Sequence, residues 1–372
     1  MLGLLLTLSS EMSFAQGTIG GMKHSFDTDI WSIRQNAFPT FTGTYGDYVQ
    51  YGAAIMIPTL KAFGVPTRNN WGRMLSSTVI SALLSTGVSR GLKVLVKRER
   101  PNQLDTKSFP SGHSTTAFTA AHILHKEYGW YSPWISIAGY TMAMVTATQR
   151  VVSNWHWMSD TFAGAVLGIA SVELGYFLGD LIWKDKGRCH KFDPHAHTHY
   201  NPAANDYYTV EWLYGRRFIL GPQEELDAST RPYRGGLAAI QAELPWTRGA
   251  LGSTLPGAEG TIPMSAGLKV RLGAQSLTYQ NSDSFNIYNA LVGSYWSLAV
   301  TEWFETEAYA MIGANWHQKE VGADLDLGVS ANFITGGAFK IKAFAEFETF
   351  KIQKEQGFLA SFMLGYSAGF YF

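Results

Sequence analysis

The apolar residues of this chain repeat with one period before residue 184 and with another after residue 206, so one layer architecture cannot accommodate the whole of it. From about Thr44 to Trp183 they recur at helical spacing, which predicts helices near 45–63, 71–98, 112–128, 132–150 and 154–183. Pro58, Pro66, Pro101, Pro110 and Pro133 fall mostly at or near the ends of these segments. The apolar stretches are diluted: Ser76, Ser77, Thr78, Ser81, Ser85 and Thr86 interrupt the second, and Glu173 and Asp180 the last. Such dilution predicts a compact helical bundle rather than transmembrane helices, although 162–183 has the length to span a bilayer.

After Asp206 the period is two. Strands are expected from Tyr207 to Tyr214 and near 233–243, 263–279, 284–299, 304–316, 321–333, 338–350 and 357–372. In 338–350, Phe339, Ile341, Ala343, Ala345 and Phe347 share one face, while Lys340, Lys342, Phe344, Glu346 and Glu348 share the other. Asp324 and Asp326 oppose Leu325, Leu327 and Val329 in the same way. Alternation of this kind over strands of about ten residues predicts an eight-stranded antiparallel transmembrane β-barrel. A soluble barrel or sandwich would alternate too. Composition favours the membrane: charged residues are 16%, aromatics 14%, and there are 38 glycines. Tyr366, Ala368, Phe370 and Phe372 alternate up to the last residue, an ending that resembles the recognition strand of bacterial outer-membrane barrels. Eight strands leave an interior filled by side chains rather than a wide pore.

Zero formal net charge argues against a general nucleic-acid binder. Cys189 as sole cysteine excludes an internal disulfide framework and any cysteine-rich metal site. Leu2 to Leu8 is mostly apolar, and Ser13-Phe14-Ala15 before Gln16 resembles a cleavage site, which predicts a secretory signal peptide over 1–15 and export. The expected organisation is a signal peptide (1–15), a helical domain (16–183), a linker (184–206) and the barrel (207–372). The linker carries His190, His195, His197 and His199, which read either as a shared cation site or as a solvated tract.

Three blocks in the helical half carry chemistry. Lys93 and Arg100, seven residues apart ahead of Pro101, would lie near one face of a helix and grip a phosphate between them. Pro110-Ser111-Gly112-His113 combines a turn, a hydroxyl, room for close backbone approach and the start of a helix, all suited to an anion. Arg150, His156 and Asp160 form the third block. On a helix, His156 and Asp160 would be i, i+4 neighbours, the carboxylate fixing one imidazole tautomer and leaving the other nitrogen free to attack. His122 and His125 lie outside these blocks as helix-surface or helix–helix residues. Trp155 and Trp157 flank His156, and core packing is the favoured reading over an entrance for lipid.

Together the blocks resemble the type 2 phosphatidic acid phosphatase superfamily, which includes bacterial acid phosphatases and vanadium haloperoxidases. Its pattern is Lys-x6-Arg-Pro, then Pro-Ser-Gly-His, then Ser-Arg-x5-His-x3-Asp, and the resemblance covers roughly 45–180. Gln149 stands where the family usually has Ser, and only eight residues separate Pro101 from Pro110. The resemblance implies that His156 attacks phosphorus, that Asp160 orients it and that His113 protonates the leaving alkoxide and then activates water. It also implies that Lys93, Arg100, Arg150, Ser111 and the Gly112 amide bind the phosphoryl oxygens. No metal or cofactor is implied. The expectation is a metal-independent lipid phosphatase anchored by an outer-membrane barrel, with the catalytic domain on the periplasmic side. Its substrates would be phosphorylated lipids such as lipid A, phosphatidate, phosphatidylglycerophosphate or a prenyl diphosphate. Membrane lipid and the barrel-assembly machinery are the other expected partners, and nucleic acid is not one. The competing readings are a structural or binding barrel with an inactive phosphatase-like domain, and a vanadium haloperoxidase.

Overall fold

The computed structural model describes residues 26–184, 186–189, 208–220, 234–245, 264–278, 284–301, 304–317, 320–335, 339–351 and 358–371. The expected signal peptide, the four linker histidines and Phe372 lie outside these residues. Seven helices precede eight strands among the described residues: α1 (Phe26–Ala37), α2 (Gly46–Val49), α3 (Gly52–Ala62), α4 (Trp71–Val96), α5 (Gly112–Tyr128), α6 (Pro133–Val152) and α7 (Met158–Trp183). Contacts separate the chain into two compact units, one holding the helices and the other the strands, with helix residues 35–37 falling in the second.

In the helical unit α5 is central, packed on α3, α4, α6 and α7. Its buried face is mostly small and apolar, including Ala117, Ala120, Ala121 and Leu124. Glycines let α7 come close: a Cβ on Gly164 would sit 2.7 Å from the Ser111 carbonyl oxygen, and one on Gly175 would sit 2.9 Å from the Ser81 amide nitrogen. The serines that dilute α4 face inward. Ser77, Ser81, Ser85 and Ser89, spaced by four, are buried, whereas Leu75, Val79, Leu83, Val88 and Leu95 are exposed. The polar residues of α4 are thus its packing stripe and its apolar residues are its outer face. By length and composition, α4 and α7 are each able to cross a membrane.

The strands are β1 (Thr209–Leu220), β2 (Arg234–Pro245), β3 (Met264–Thr278), β4 (Ser284–Thr301), β5 (Phe304–His317), β6 (Glu320–Thr335), β7 (Phe339–Phe350) and β8 (Leu359–Tyr371). Each pairs antiparallel with its sequence neighbour, and β1 closes on β8 in a register that sets Thr209 opposite Tyr371. The expected alternation is what the closed sheet shows. Lys340, Lys342, Phe344, Glu346 and Glu348 are buried, as are Asp324 and Asp326, while Leu325, Leu327, Val329 and Phe347 are exposed.

The interior is filled by ion pairs and by small apolar clusters such as Leu213, Leu237, Ala239, Phe344 and Met363. Lys269 pairs with Glu307 and Glu243, Arg217 with Glu348, and Arg271 with Asp326 and Glu346. Lys269 also lies 4.0 Å from the centre of the Tyr309 ring. Charge inside and leucine, isoleucine, valine and tryptophan outside invert the polarity of a protein in water. A closed barrel has no unpaired backbone edge, so this inversion is stable in hydrocarbon: the strands form a transmembrane barrel.

Candidate active site

Two of the three predicted blocks reach the site by a different local route from the one expected. α4 ends at Val96, where Lys97 takes a left-handed backbone with φ 50° and caps the helix. Arg100 therefore leaves the helix that carries Lys93, and no shared helical face joins them. The following loop is folded on itself, the Ser108 amide donating to the Arg98 carbonyl (2.9 Å) and the Arg100 amide to that of Asp105 (3.0 Å). This loop returns Arg100 toward His156: Arg100 Nη1 lies 3.1 Å from His156 Nε2 and donates to the Trp155 carbonyl at 2.9 Å. Lys93 Nζ donates to the Lys107 carbonyl at 2.9 Å and to that of Pro110.

His156 is likewise not helical. α6 stops at Val152, and Asn154 adopts φ 63°, a left-handed conformation that asparagine tolerates. The turn lets the amides of Trp155 and His156 both donate to the Arg150 carbonyl, at 3.0 and 3.2 Å, which ties the two ends of the third block together. Asp160 lies in the first turn of α7, where its Oδ2 accepts from the Trp157 amide at 2.9 Å. The His156 Nδ1 to Asp160 Oδ2 separation is 3.7 Å, longer than a hydrogen bond, so the carboxylate faces the ring as an electrostatic partner. The pair is built by a helix entry and not by i, i+4 stacking, because the backbone turn at Asn154 precedes the helix.

Asp160 is fully buried and heavily partnered. Arg98 Nη1 donates to its Oδ1 at 2.8 Å, and the Ser108 hydroxyl donates to its Oδ2. Arg98 is itself held by Asp27 of α1 at 2.6 Å, and Asp27 also accepts from the Ser159 amide and hydroxyl. Arg98, Ser108 and Asp27 escaped the motif reading because they act through tertiary proximity; no spacing relates 27, 98, 108 and 160.

Ser111 is the N-cap of α5. It is buried, its Oγ accepts from the Ser114 amide, and its own amide donates to the Asp160 carbonyl at 2.9 Å. Its Oγ thus accepts within the turn as the N-cap, from the Ser114 amide and from the Ser114 hydroxyl at 3.1 Å, which leaves its own O–H to donate elsewhere. The amides of Gly112 and His113, at the first two helical positions, have no intrahelical acceptors by helix geometry and suit an anion. Gly112 lies close to Lys93, whose Cε is 3.9 Å from where a Cβ would stand.

His113 Nε2 lies 3.0 Å from Asp47 Oδ1, and the same oxygen accepts from Arg150 Nη2. Burial pushes the His113 pKa down to about 4, with the Arg150 charge adding to the fall and Asp47 opposing it. Burial also lowers the His156 pKa, against the raising effect of Asp160, so its imidazole is neutral and nucleophilic near pH 7. Trp155 is exposed and lies with its ring centre 5.4 Å from the Arg100 guanidinium, so it caps a cation rather than filling the core. His122 and His125 stay outside the site, between helices: His122 bridges Tyr140 (2.6 Å) and Glu173 (2.7 Å), and His125 contacts Ser136 (2.8 Å).

Metal-ligand chemistry gathers elsewhere. Among the described residues Asp324, Asp326 and Glu348 bring one carboxylate oxygen each within 4.8 Å of one another inside the barrel, where Asn289, Arg271 and Arg217 already engage them.

The lipid A 1-phosphatase of Porphyromonas gingivalis is 44% identical over 128 residues, which is 34% of this chain and 29% of that protein. The two thus share less than a third of that relative's length. Among solved structures, Aquifex aeolicus LpxE is similar at 20% identity and a TM-score of 0.33, covering 41% of this chain and 96% of its own. Ail of Yersinia pestis is similar at 15% identity and a TM-score of 0.28, covering 45% and 99%. The PAP2 superfamily matches residues 73–179, a span that contains Lys93, Arg100, His113, Arg150, His156 and Asp160. The helices that carry this site therefore form a PAP2 superfamily domain, joined in one chain to a closed eight-stranded barrel.

Proposed function

We propose that this chain is a phosphatase of phosphorylated membrane lipids that works through a phosphohistidine and needs no metal. The observation that carries the reading is the orientation of His156. Its Nδ1 faces the buried Asp160 carboxylate, and its Nε2 faces Arg100, so the nitrogen with no carboxylate beside it points at a cation. A phosphate drawn to Arg100 would meet a neutral, oriented nucleophile.

Nε2 of His156 attacks phosphorus as the bond to the lipid oxygen breaks. The phosphate dianion beside His113 favours its protonated ring, which gives its proton to that oxygen and, then neutral, takes one from the water that cleaves the phosphohistidine. Arg100, Arg150, Lys93 and the Gly112 and His113 amides stabilise the charge that spreads over the phosphoryl oxygens. Ser111 caps the turn and offers its O–H to a phosphoryl oxygen, and Ser108 holds the Asp160 carboxylate.

The lipid substrate is supported by the transmembrane barrel in the same chain and by the outward apolar side chains of α4 and α7, including Phe177, Leu181 and Ile182. The name of the Porphyromonas gingivalis relative supports a phosphorylated glycolipid within that class. In this reading the barrel lies in the outer membrane and the helical unit works in the periplasm, where exported phospholipids and lipid A are substrates. Barrel-assembly machinery would insert it.

The test is phosphate release by detergent-solubilised protein from lipid A, phosphatidate, phosphatidylglycerophosphate and a prenyl diphosphate, in excess EDTA, beside His156→Ala. Release that persists in EDTA and vanishes in the variant supports the reading. Equal release from both proteins contradicts it. Bromide-dependent peroxide consumption would instead favour a haloperoxidase.

A further inference from the structure

We propose that Asp47 is a displaceable carboxylate that occupies the phosphate subsite of the resting protein and sets how tightly that subsite holds a bare phosphate. The inference rests on the phosphatase reading above and assigns a role to a residue that belongs to none of the three sequence blocks.

One oxygen of Asp47 accepts from the Arg150 guanidinium and lies 3.0 Å from His113 Nε2. These are the two groups that a phosphoryl oxygen and the leaving oxygen would engage. A carboxylate and a phosphate present the same acceptor oxygens to a guanidinium, so they compete for it. The two partners differ in exposure: the Arg150 side chain is 6% exposed, whereas that of Asp47 is 42% exposed and stands on the four-residue helix α2. Water can receive the Asp47 carboxylate when it leaves, whereas the buried Arg150 guanidinium then needs another acceptor, which a phosphate supplies.

The turn that presents Asp47 is held by the residue at which this sequence departs from the family pattern. Gln149 Nε2 donates to the Gly43 carbonyl and to the Ser153 hydroxyl (2.7 Å), and the Ser153 hydroxyl donates to the same Gly43 carbonyl at 2.9 Å. Gly46, next to Asp47, presses so closely on Gln149 that a Cβ there would stand 2.3 Å from its Oε1. A serine at 149 is too short to bridge α6 to Gly43. The substitution of glutamine thus fastens the 43–46 turn and with it the carboxylate over the site.

Displacing Asp47 costs inorganic phosphate and a lipid phosphate the same free energy, so it weakens both by a similar factor. A lipid phosphate keeps its further contacts and still binds, whereas phosphate held by the cations alone is released. Asp47 therefore eases product release while saturating lipid still turns over.

Isothermal titration of inorganic phosphate and of vanadate into the full-length protein in detergent, with wild type, Asp47→Asn, Asp47→Ala and Gln149→Ser, tests this directly. Loss of the competing charge is expected to tighten phosphate binding about tenfold in both Asp47 variants. Gln149→Ser should shift it the same way by less. The Ki of phosphate against lipid hydrolysis should fall in parallel. Unchanged or weakened phosphate binding in the Asp47 variants overturns the proposal. So does a fall in kcat with phosphate affinity unmoved, which would make Asp47 a positioning residue for His113. Wild-type turnover and its loss in His156→Ala report on the phosphatase reading separately, and binding is measurable whether or not turnover is seen. Near-ultraviolet circular dichroism confirms that each variant is folded.

Discussion

Both units of this molecule bury charge, and they differ in what covers it. In the barrel the partners are as buried as the charges: the Arg217 and Glu348 side chains are 1% and 0% exposed, and Lys269 and Glu307 are both at 0%. In the helical unit the cations nearest the chemistry are covered by carboxylates that solvent reaches, Asp105 on Arg100 at 41% and Asp47 on Arg150 at 42%. A buried pair that water cannot reach is fixed architecture, since breaking it strands a charge. A buried cation beneath an exposed carboxylate is exchangeable, and exchange for a phosphate is what a binding site requires. Partner accessibility alone does not mark a site, since buried Arg73 pairs with an Asp180 that is 40% exposed. What sets Arg100 and Arg150 apart is an accessible partner together with closeness to His156 or His113.

The contrast is broken most severely at its chemical end. His156→Ala should cut phosphate release by about 10³-fold or more while leaving both units folded, because the proposed nucleophile is lost and, among the described residues, no other imidazole is hydrogen-bonded to Arg100. Steady-state release normalised to folded protein measures it. At the architectural end, Arg217→Ala strands Glu348 inside the barrel and should cost about 3–5 kcal/mol of barrel stability. Heat-dependent gel mobility and urea titration would show it. Arg217→Met, with Glu348→Leu beside it, should recover most of that loss.

Proton linkage separates the units next. Burial lowers the pKa of His113, His122, His125 and His156, to about 4 for His113 and about 3 for His125. Above about pH 6.5 these rings are neutral in both folded and unfolded chains. As pH falls from there toward 4 the unfolded chain takes up protons that the folded helices refuse, so the helical unit loses stability across that window. Thermal unfolding followed by near-ultraviolet circular dichroism at a series of pH values should show the decline. A midpoint independent of pH between 6.5 and 4 would contradict it. The smallest effect is expected at Asp105→Asn, whose exposed pairing with Arg100 contributes within about 1 kcal/mol. Its stability should be near that of wild type, and its affinity for phosphate should rise less than in Asp47→Asn.

Most of the fold was legible because each half is written in one period. The eight strands fall close to where alternation places them, and their inward Lys340, Lys342, Glu346 and Glu348 are the residues that alternation turned inward. The longer helices were legible as well; their ends near the site were not. Trp155 and Trp157 continue the apolar rhythm through a segment that Asn154 turns out of the helix, and Lys97 ends α4 before Arg100 by a left-handed cap that spacing does not signal. The serines of α4 read as dilution from the sequence, whereas helix packing makes them the inner face. Within the site, Lys93, Arg100, His113, Arg150, His156 and Asp160 were legible because their types and spacings form blocks. Ser111 belongs to its block by type, and the structure adds that it caps α5. Asp27, Asp47, Arg98 and Ser108 were not legible, since each reaches the site across a long sequence separation through an ordinary turn or loop.

The central claim is that His156 carries the phosphoryl group. Full-length protein mixed with a turning-over phospholipid substrate and quenched in alkali, which preserves phosphohistidine, can be digested and the peptide bearing His156 weighed. The account predicts a phosphoryl adduct on that peptide, lost on acid treatment and absent from His156→Ala. Turnover with no adduct there, or an acid-stable adduct on a serine or threonine, would contradict it.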